Sequence, residues 1–129
     1  MSEYYWFSRR EALAAHNLTL ATYGGATGIR DEAMLESALA KPQQKANYGD
    51  PSIVELAAAY SSGIIKNHPF VDGNKRTGFM LGVAFLERNG WRFHGSEAET
   101  VMHTLALAAS ELDEAGFAAW LEANSSPAS

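Results

Sequence analysis

The sequence predicts an all-α fold, a compact bundle of about six helices. Three observations carry this. Capping signals recur along the chain, each followed by apolar residues at helical spacing. Alanine, the strongest helix former, is abundant. Only one stretch, residues 91–94, reads as extended.

Ser8-Arg9-Arg10-Glu11 has capping-box spacing and opens a first helix that runs to about Thr22. Leu13, Leu20 and the alanines give it an apolar stripe, and Tyr23-Gly24-Gly25 stops it. Asp31 caps a second helix carrying Met34, Leu35, Ala38 and Leu39, which Lys41-Pro42 should end. Residues 41–50 are polar, with one Pro and one Gly, and read as an exposed loop able to serve as a lid or docking flap. Asp50 as cap and Pro51 at the first position open a third helix, with Ile53, Leu56, Tyr60 and Ile64 on one face. It should end near Asn67, ahead of Pro69. A fourth helix follows residues 68–77 and stops at Asn89-Gly90. Ser96-Glu97-Ala98-Glu99 opens a fifth, carrying Val101, Leu105 and Ala108. A short last helix holds Phe117, Trp120 and Leu121. The third and fourth are the most apolar and should be central, with the turn between them on a rigid scaffold.

The 129 residues contain no internal repeat and no linker, so the chain reads as one domain over 1–129. Its core spans about 8–122, and 124–129 read as a frayed polar tail. No apolar run is long and uncharged enough to span a bilayer, and the first residues do not form a secretory signal. Cysteine is absent, which excludes disulfides and thiolate chemistry and is compatible with the cytoplasm. The net charge of −5 argues against a nucleic-acid groove. Lys66, His68, Lys75 and Arg76 nevertheless cluster in sequence, which suits a small anionic ligand.

That cluster lies on the decapeptide His68-Pro69-Phe70-Val71-Asp72-Gly73-Asn74-Lys75-Arg76-Thr77. A histidine can take a proton from an attacking hydroxyl near neutral pH. Pro69 fixes the backbone beside it, and Phe70 can anchor the turn in the core. Asp72 is an oxygen ligand suited to Mg²⁺ accompanied by substrate phosphates. Gly73 lets backbone approach phosphate oxygens, and the start of a helix presents N–H groups to them. Asn74, Lys75 and Arg76 add donors, Arg76 in fork geometry and Lys75 as a mobile charge. Thr77 can cap or pack in the first turn. The spacing is not that of a P-loop. His16 reads as a packed or hydrogen-bonded side chain. His94 and His103 lack partners at ligand spacing. Trp6, Trp91 and Trp120 read as core or interface residues.

HPFVDGNKRT resembles the signature of the Fic/Doc family, in the form typical of death-on-curing (Doc) toxins. Tyr23-Gly24-Gly25, Gly28-Ile29-Arg30-Asp31, Leu35-Glu36-Ser37-Ala38-Leu39, Pro42 and Phe85-Leu86-Glu87-Arg88-Asn89-Gly90 extend the likeness over roughly residues 8–122. The resemblance implies an all-α bundle. Fic proteins generally transfer AMP from ATP to a target hydroxyl, with Gly where this chain has Lys75 and a second Arg where it has Phe79. Both departures are Doc-like, whereas Gly73 is the Fic-like choice. Doc proteins bind the nucleotide in the reverse orientation and act as protein kinases on a threonine of elongation factor Tu, which stops translation. The implied roles are His68 as base, Asp72 as Mg²⁺ ligand, and Gly73, Asn74, Lys75 and Arg76 as the ATP phosphate cradle. The implied partner is a Phd-like antitoxin whose C-terminal segment lies in an apolar groove, while the 41–50 flap helps receive the target. Ser110 to Ala115 only partly matches the self-inhibitory helix of many Fic proteins, since Ala115 stands in its last place. Two alternatives stay open: an AMP transferase, and a non-catalytic antitoxin-binding corepressor.

Overall fold

The computed structural model describes residues 4–128. Six helices account for most of them: α1 (Arg9–Tyr23), α2 (Glu32–Asn47), α3 (Ile53–Asn67), α4 (Asn74–Arg88), α5 (Glu97–Ala108) and α6 (Glu114–Ala123). Two three-residue strands, β1 (Trp91–Phe93) and β2 (Ser125–Pro127), pair antiparallel. Among the described residues no helix is long and apolar enough to cross a membrane.

Helix α3 is the axis of the molecule, because α4, α2, α6 and α5 all pack on it. Every residue from Ile53 to Ile65 except Glu55 is buried. A helix apolar all round belongs at the centre of a bundle. Tyr60 and Phe85 lie with ring centroids 5.0 Å apart, and the Tyr60 hydroxyl accepts the Phe7 N–H at 2.9 Å. Helices α3 and α4 approach very closely at two glycines. A Cβ on Gly78 would sit 3.0 Å from the Ser61 carbonyl oxygen, and one on Gly82 would sit 2.9 Å from that of Ala57. Ser61 Oγ donates to the Gly78 carbonyl at 2.8 Å across this seam.

Six sequence expectations change. Helix α2 does not stop at Lys41-Pro42 but runs on to Asn47 with Pro42 inside it. Leu35, Ala38 and Pro42 form one buried stripe at i, i+3 and i+7, and α2 packs on α3. Burying Leu35 at about 1.5–3 kcal/mol, with Ala38 and Pro42 beside it, offsets much of the roughly 3 kcal/mol that an interior proline costs. Lys41 and Lys45 both pair with Glu114 at the start of α6, so most of the expected flap is a helix tied down at its far end. The cap of α3 is Ser52, not Asp50, because Ser52 and Glu55 make the reciprocal capping box.

The inward face of α1 is Ala12, His16 and Thr19, while Leu13 and Leu20 are half-buried. Helix α5 buries Thr104 and Leu107 and leaves Val101 and Leu105 about half exposed. The tail expected to fray is pinned over residues 125–127 against β1, since the edge of Trp91–Phe93 offers unpaired backbone groups; Ser129 lies outside the described residues.

Candidate active site

The turn between α3 and α4 is built by hydrogen bonds to the chain ahead of it. Helix α3 ends with His68 N–H donating to the Ile64 carbonyl at 3.1 Å. His68 takes left-handed backbone angles, φ 54° and ψ 52°, although a residue ahead of proline ordinarily favours extended ones. Arg30 holds that geometry. Its Nε donates to the His68 carbonyl at 2.7 Å and its Nη2 to the Asn67 carbonyl at 3.0 Å. A cation at the carboxyl end of a helix also meets the favourable end of the helix dipole. The Arg30 and Asp31 amides both donate to the Pro69 carbonyl, at 2.6 and 3.1 Å. Phe70 bridges to Ile29 and is wholly buried, stacked on the His16 ring at 3.9 Å. His16 Nε2 also lies 2.8 Å from the Asp72 carbonyl oxygen, so it is the packed, hydrogen-bonded side chain the sequence suggested.

Asn74 faces inward. Its Oδ1 accepts the Phe70 N–H and its Nδ2 donates to the Phe70 carbonyl, both at 2.9 Å. The residue is 3% exposed, so its amide staples the turn shut and is not a phosphate donor. Only its main-chain N–H remains for an anion. Thr77 is buried too, and its Oγ1 has no hydrogen-bond partner among the described residues, so it packs and does not cap. Gly73 caps α4 in the left-handed region at φ 80°, and no side chain caps the first turn. That turn therefore keeps its N–H groups for a ligand.

Lys75 and Arg76 are exposed, as are His68 and Asp72. The Arg76 guanidinium lies over the Tyr23 ring, 4.0 Å from its centroid. Asp72 Oδ2 accepts the Ala26 N–H at 3.2 Å and Oδ1 the Gly73 N–H at 2.9 Å. The Ala26 amide first, then the Gly73 amide, hold the Asp72 carboxyl below the usual carboxylate range, with smaller help from His16 and Lys75. The carboxylate is thus ionised at neutral pH. Gly25 makes this approach feasible, since a Cβ there would lie 2.8 Å from Asp72 Oδ2. Among the described residues no three acidic, histidine or cysteine side chains gather to hold a metal. One exposed carboxylate with lone pairs to spare fits a Mg²⁺ that arrives with phosphates.

His68 and Lys75 also line an open groove of about 650 Å³ together with Met102, Leu105, Ala106 and Ala108 of α5. The misassigned face of α5 supplies that lining. Phe79 is half-buried, its ring 5.4 Å from Phe93 and 6.4 Å from Trp120. His103 stacks on Trp120 and bonds to the Glu99 carbonyl, away from any metal geometry.

Comparison with known proteins agrees with this architecture. A family model described as Fic/DOC family matches residues 6–86. The chain belongs to the Fic/Doc family. It is 35% identical over 130 residues to "Toxin Doc" of Mycolicibacterium smegmatis, covering 92% of this chain and 96% of the relative. It is 32% identical over 84 residues to "Protein kinase doc" of Escherichia phage P1, covering 64% and 67%.

Membership sharpens which residues escaped the sequence reading. The turn brings His68 and Lys75 to one groove and leaves Asp72 and Arg76 on the surface, but it withdraws the Asn74 side chain. Arg30 and Tyr23, read only as parts of a family likeness and a helix stop, touch the turn directly. Their signal was the polar, glycine-rich stretch 23–31, too irregular to be only a connection.

Proposed function

We propose that the chain is the toxin of a toxin–antitoxin pair and transfers the γ-phosphate of ATP to a hydroxyl of a translation factor, elongation factor Tu by resemblance. The observation that carries the choice of γ-phosphate is Phe79. Where AMP-transferring Fic proteins have a second arginine, this chain places an aromatic ring among Phe93 and Trp120. Lys75, in place of the usual glycine, adds charge and bulk at the mouth of the turn. The relative named as a protein kinase supports the same reading.

In this reading the first-turn amides of α4, with Lys75 and Arg76, hold the phosphates in line and neutralise them. Phosphoryl transfer depends mainly on such positioning and charge stabilisation. Asp72 would hold Mg²⁺, which would neutralise charge on the phosphate oxygens. His68 takes the proton of the target hydroxyl as it attacks phosphorus. Its exposure on the groove leaves room for the target chain. A Phd-like antitoxin segment would occupy the apolar wall of α5, where Val101, Met102 and Leu105 are each at least half exposed.

The test uses ATP labelled at the γ- or the α-phosphorus, with elongation factor Tu and then whole lysate as acceptor. Transfer from the γ-position alone, abolished in a folded His68→Ala protein, is the expected result. Transfer from the α-position would replace the kinase with an AMP transferase. No transfer from either position, with antitoxin still bound, would favour the corepressor.

A further inference from the structure

We propose that Arg30 is a positioning residue for His68, acting through the histidine's main chain. The inference rests on the reading of His68 as general base. Left-handed backbone is ordinarily left to glycine or asparagine at a helix end. His68 adopts it at φ 54° although the following proline favours extended angles. A residue in such a conformation persists only where its surroundings over-determine it.

Here the surroundings are one segment. The Arg30 guanidinium engages the Asn67 and His68 carbonyls, and the Arg30 and Asp31 amides engage the Pro69 carbonyl. The two guanidinium bonds thus fix the peptide planes on both sides of His68, and the two main-chain bonds fix the next plane, between Pro69 and Phe70. The planes beside His68 set the direction of its Cα–Cβ bond and so where the imidazole stands relative to the first turn of α4. No ion pair among the described residues includes Arg30, so its charge has no competing use. A lysine could supply one donor to one carbonyl but not the planar fork that spans two.

The test compares Arg30→Ala, Arg30→Lys and His68→Ala by rate of phosphoryl transfer, KM for ATP, thermal midpoint and crystal structure. Arg30→Ala should lower kcat roughly 10–100-fold, the scale of a small misplacement of a reacting group, with KM for ATP little changed. Arg30→Lys should fall between, and added guanidinium ion should recover part of the Arg30→Ala rate. In its crystal structure His68 should leave the left-handed region. A dead His68→Ala beside a fully active Arg30→Ala would overturn the inference alone. So would a loss in Arg30→Ala that tracks the thermal midpoint and ignores guanidinium. An active His68→Ala would instead overturn the base role itself and with it the task assigned to Arg30. If no acceptor is phosphorylated, the crystal structure still decides: His68 unchanged at φ near 54° refutes the positioning role.

Discussion

Replacing Asn74 with Ala removes the side chain that fastens the motif turn to α4. The amide satisfies both the N–H and the C=O of Phe70, at 2.9 Å each. Phe70 is 0% and Asn74 3% exposed, so water does not readily replace the lost partners. An orphaned buried group costs about 1–3 kcal/mol. Two such groups, with some relaxation toward solvent, give an expected loss of about 3 kcal/mol in urea unfolding. For a chain of this size that lowers the melting midpoint by about 10 °C. Asn74→Asp supplies a second check. It still accepts from Phe70 N–H but sets a carboxylate oxygen against the Phe70 carbonyl. Its folded pKa should therefore rise, and its stability should recover as pH falls and the carboxyl protonates. Asn74→Ala within about 1 kcal/mol of the parent, a surface-like effect, together with a sharp loss of ATP affinity would refute this reasoning. The amide would then serve the nucleotide, as the motif alone suggested.

Gly82→Ala should destabilise by about 3 kcal/mol in urea unfolding, although alanine is the better helix former. Its Cβ would clash with Ser61 Oγ and lie 2.9 Å from the Ala57 carbonyl oxygen, and adding Ser61→Ala should restore only part because the carbonyl remains. Burial pushes the Tyr60 hydroxyl above its ordinary value of 10.0, against the smaller opposing effect of the Phe7 amide. That contribution is complete below pH 10.0 and is lost as pH rises through the higher folded value. Tyr60→Phe should thus lose about 1–2 kcal/mol at neutral pH, from the orphaned Phe7 amide. Melting midpoints should also show a smaller alkaline decline for Tyr60→Phe than for the parent.

How much the sequence disclosed depended on whether a residue's neighbours in space were also its neighbours in sequence. Ser8 with Glu11, Asp31 with Met34, and Ser96 with Glu99 are local pairs, and those helix starts stand where the caps place them. Ser52 with Glu55 is equally local and was masked by the louder Asp50-Pro51. Pro42 was misleading because the proline rule is local while the packing of α2 on α3 is not. The motif was legible as chemistry, since the order of its residues carries the signal. The division of labour inside it was not, because Asn74 and Arg76 are both donors on paper. Only the helix phase at residue 74, fixed by burial of Phe70, turns one inward and leaves the other out.

That phase also bears on the proposed choice of the γ- over the α-phosphorus. Asn74, Thr77, Gly78 and Leu81 fall at i, i+3, i+4 and i+7 and are all buried, so Lys75 and Arg76 are left facing out. Position 79 lies at the border, with its ring between Phe93 and Trp120. A guanidinium there would have to leave an aromatic cluster before it could reach a phosphate. Phe79→Arg should therefore cost about 2–4 kcal/mol in urea unfolding, as aromatic contacts are lost and a charge is partly desolvated. It should not by itself confer transfer from α-labelled ATP, because Lys75 still occupies the place of the usual glycine. The pair Phe79→Arg with Lys75→Gly is the smaller change that could. If Phe79→Arg alone transferred α-label at full stability, the aromatic cluster would not be what excludes the second arginine, and the case for γ-transfer would rest on Lys75 alone.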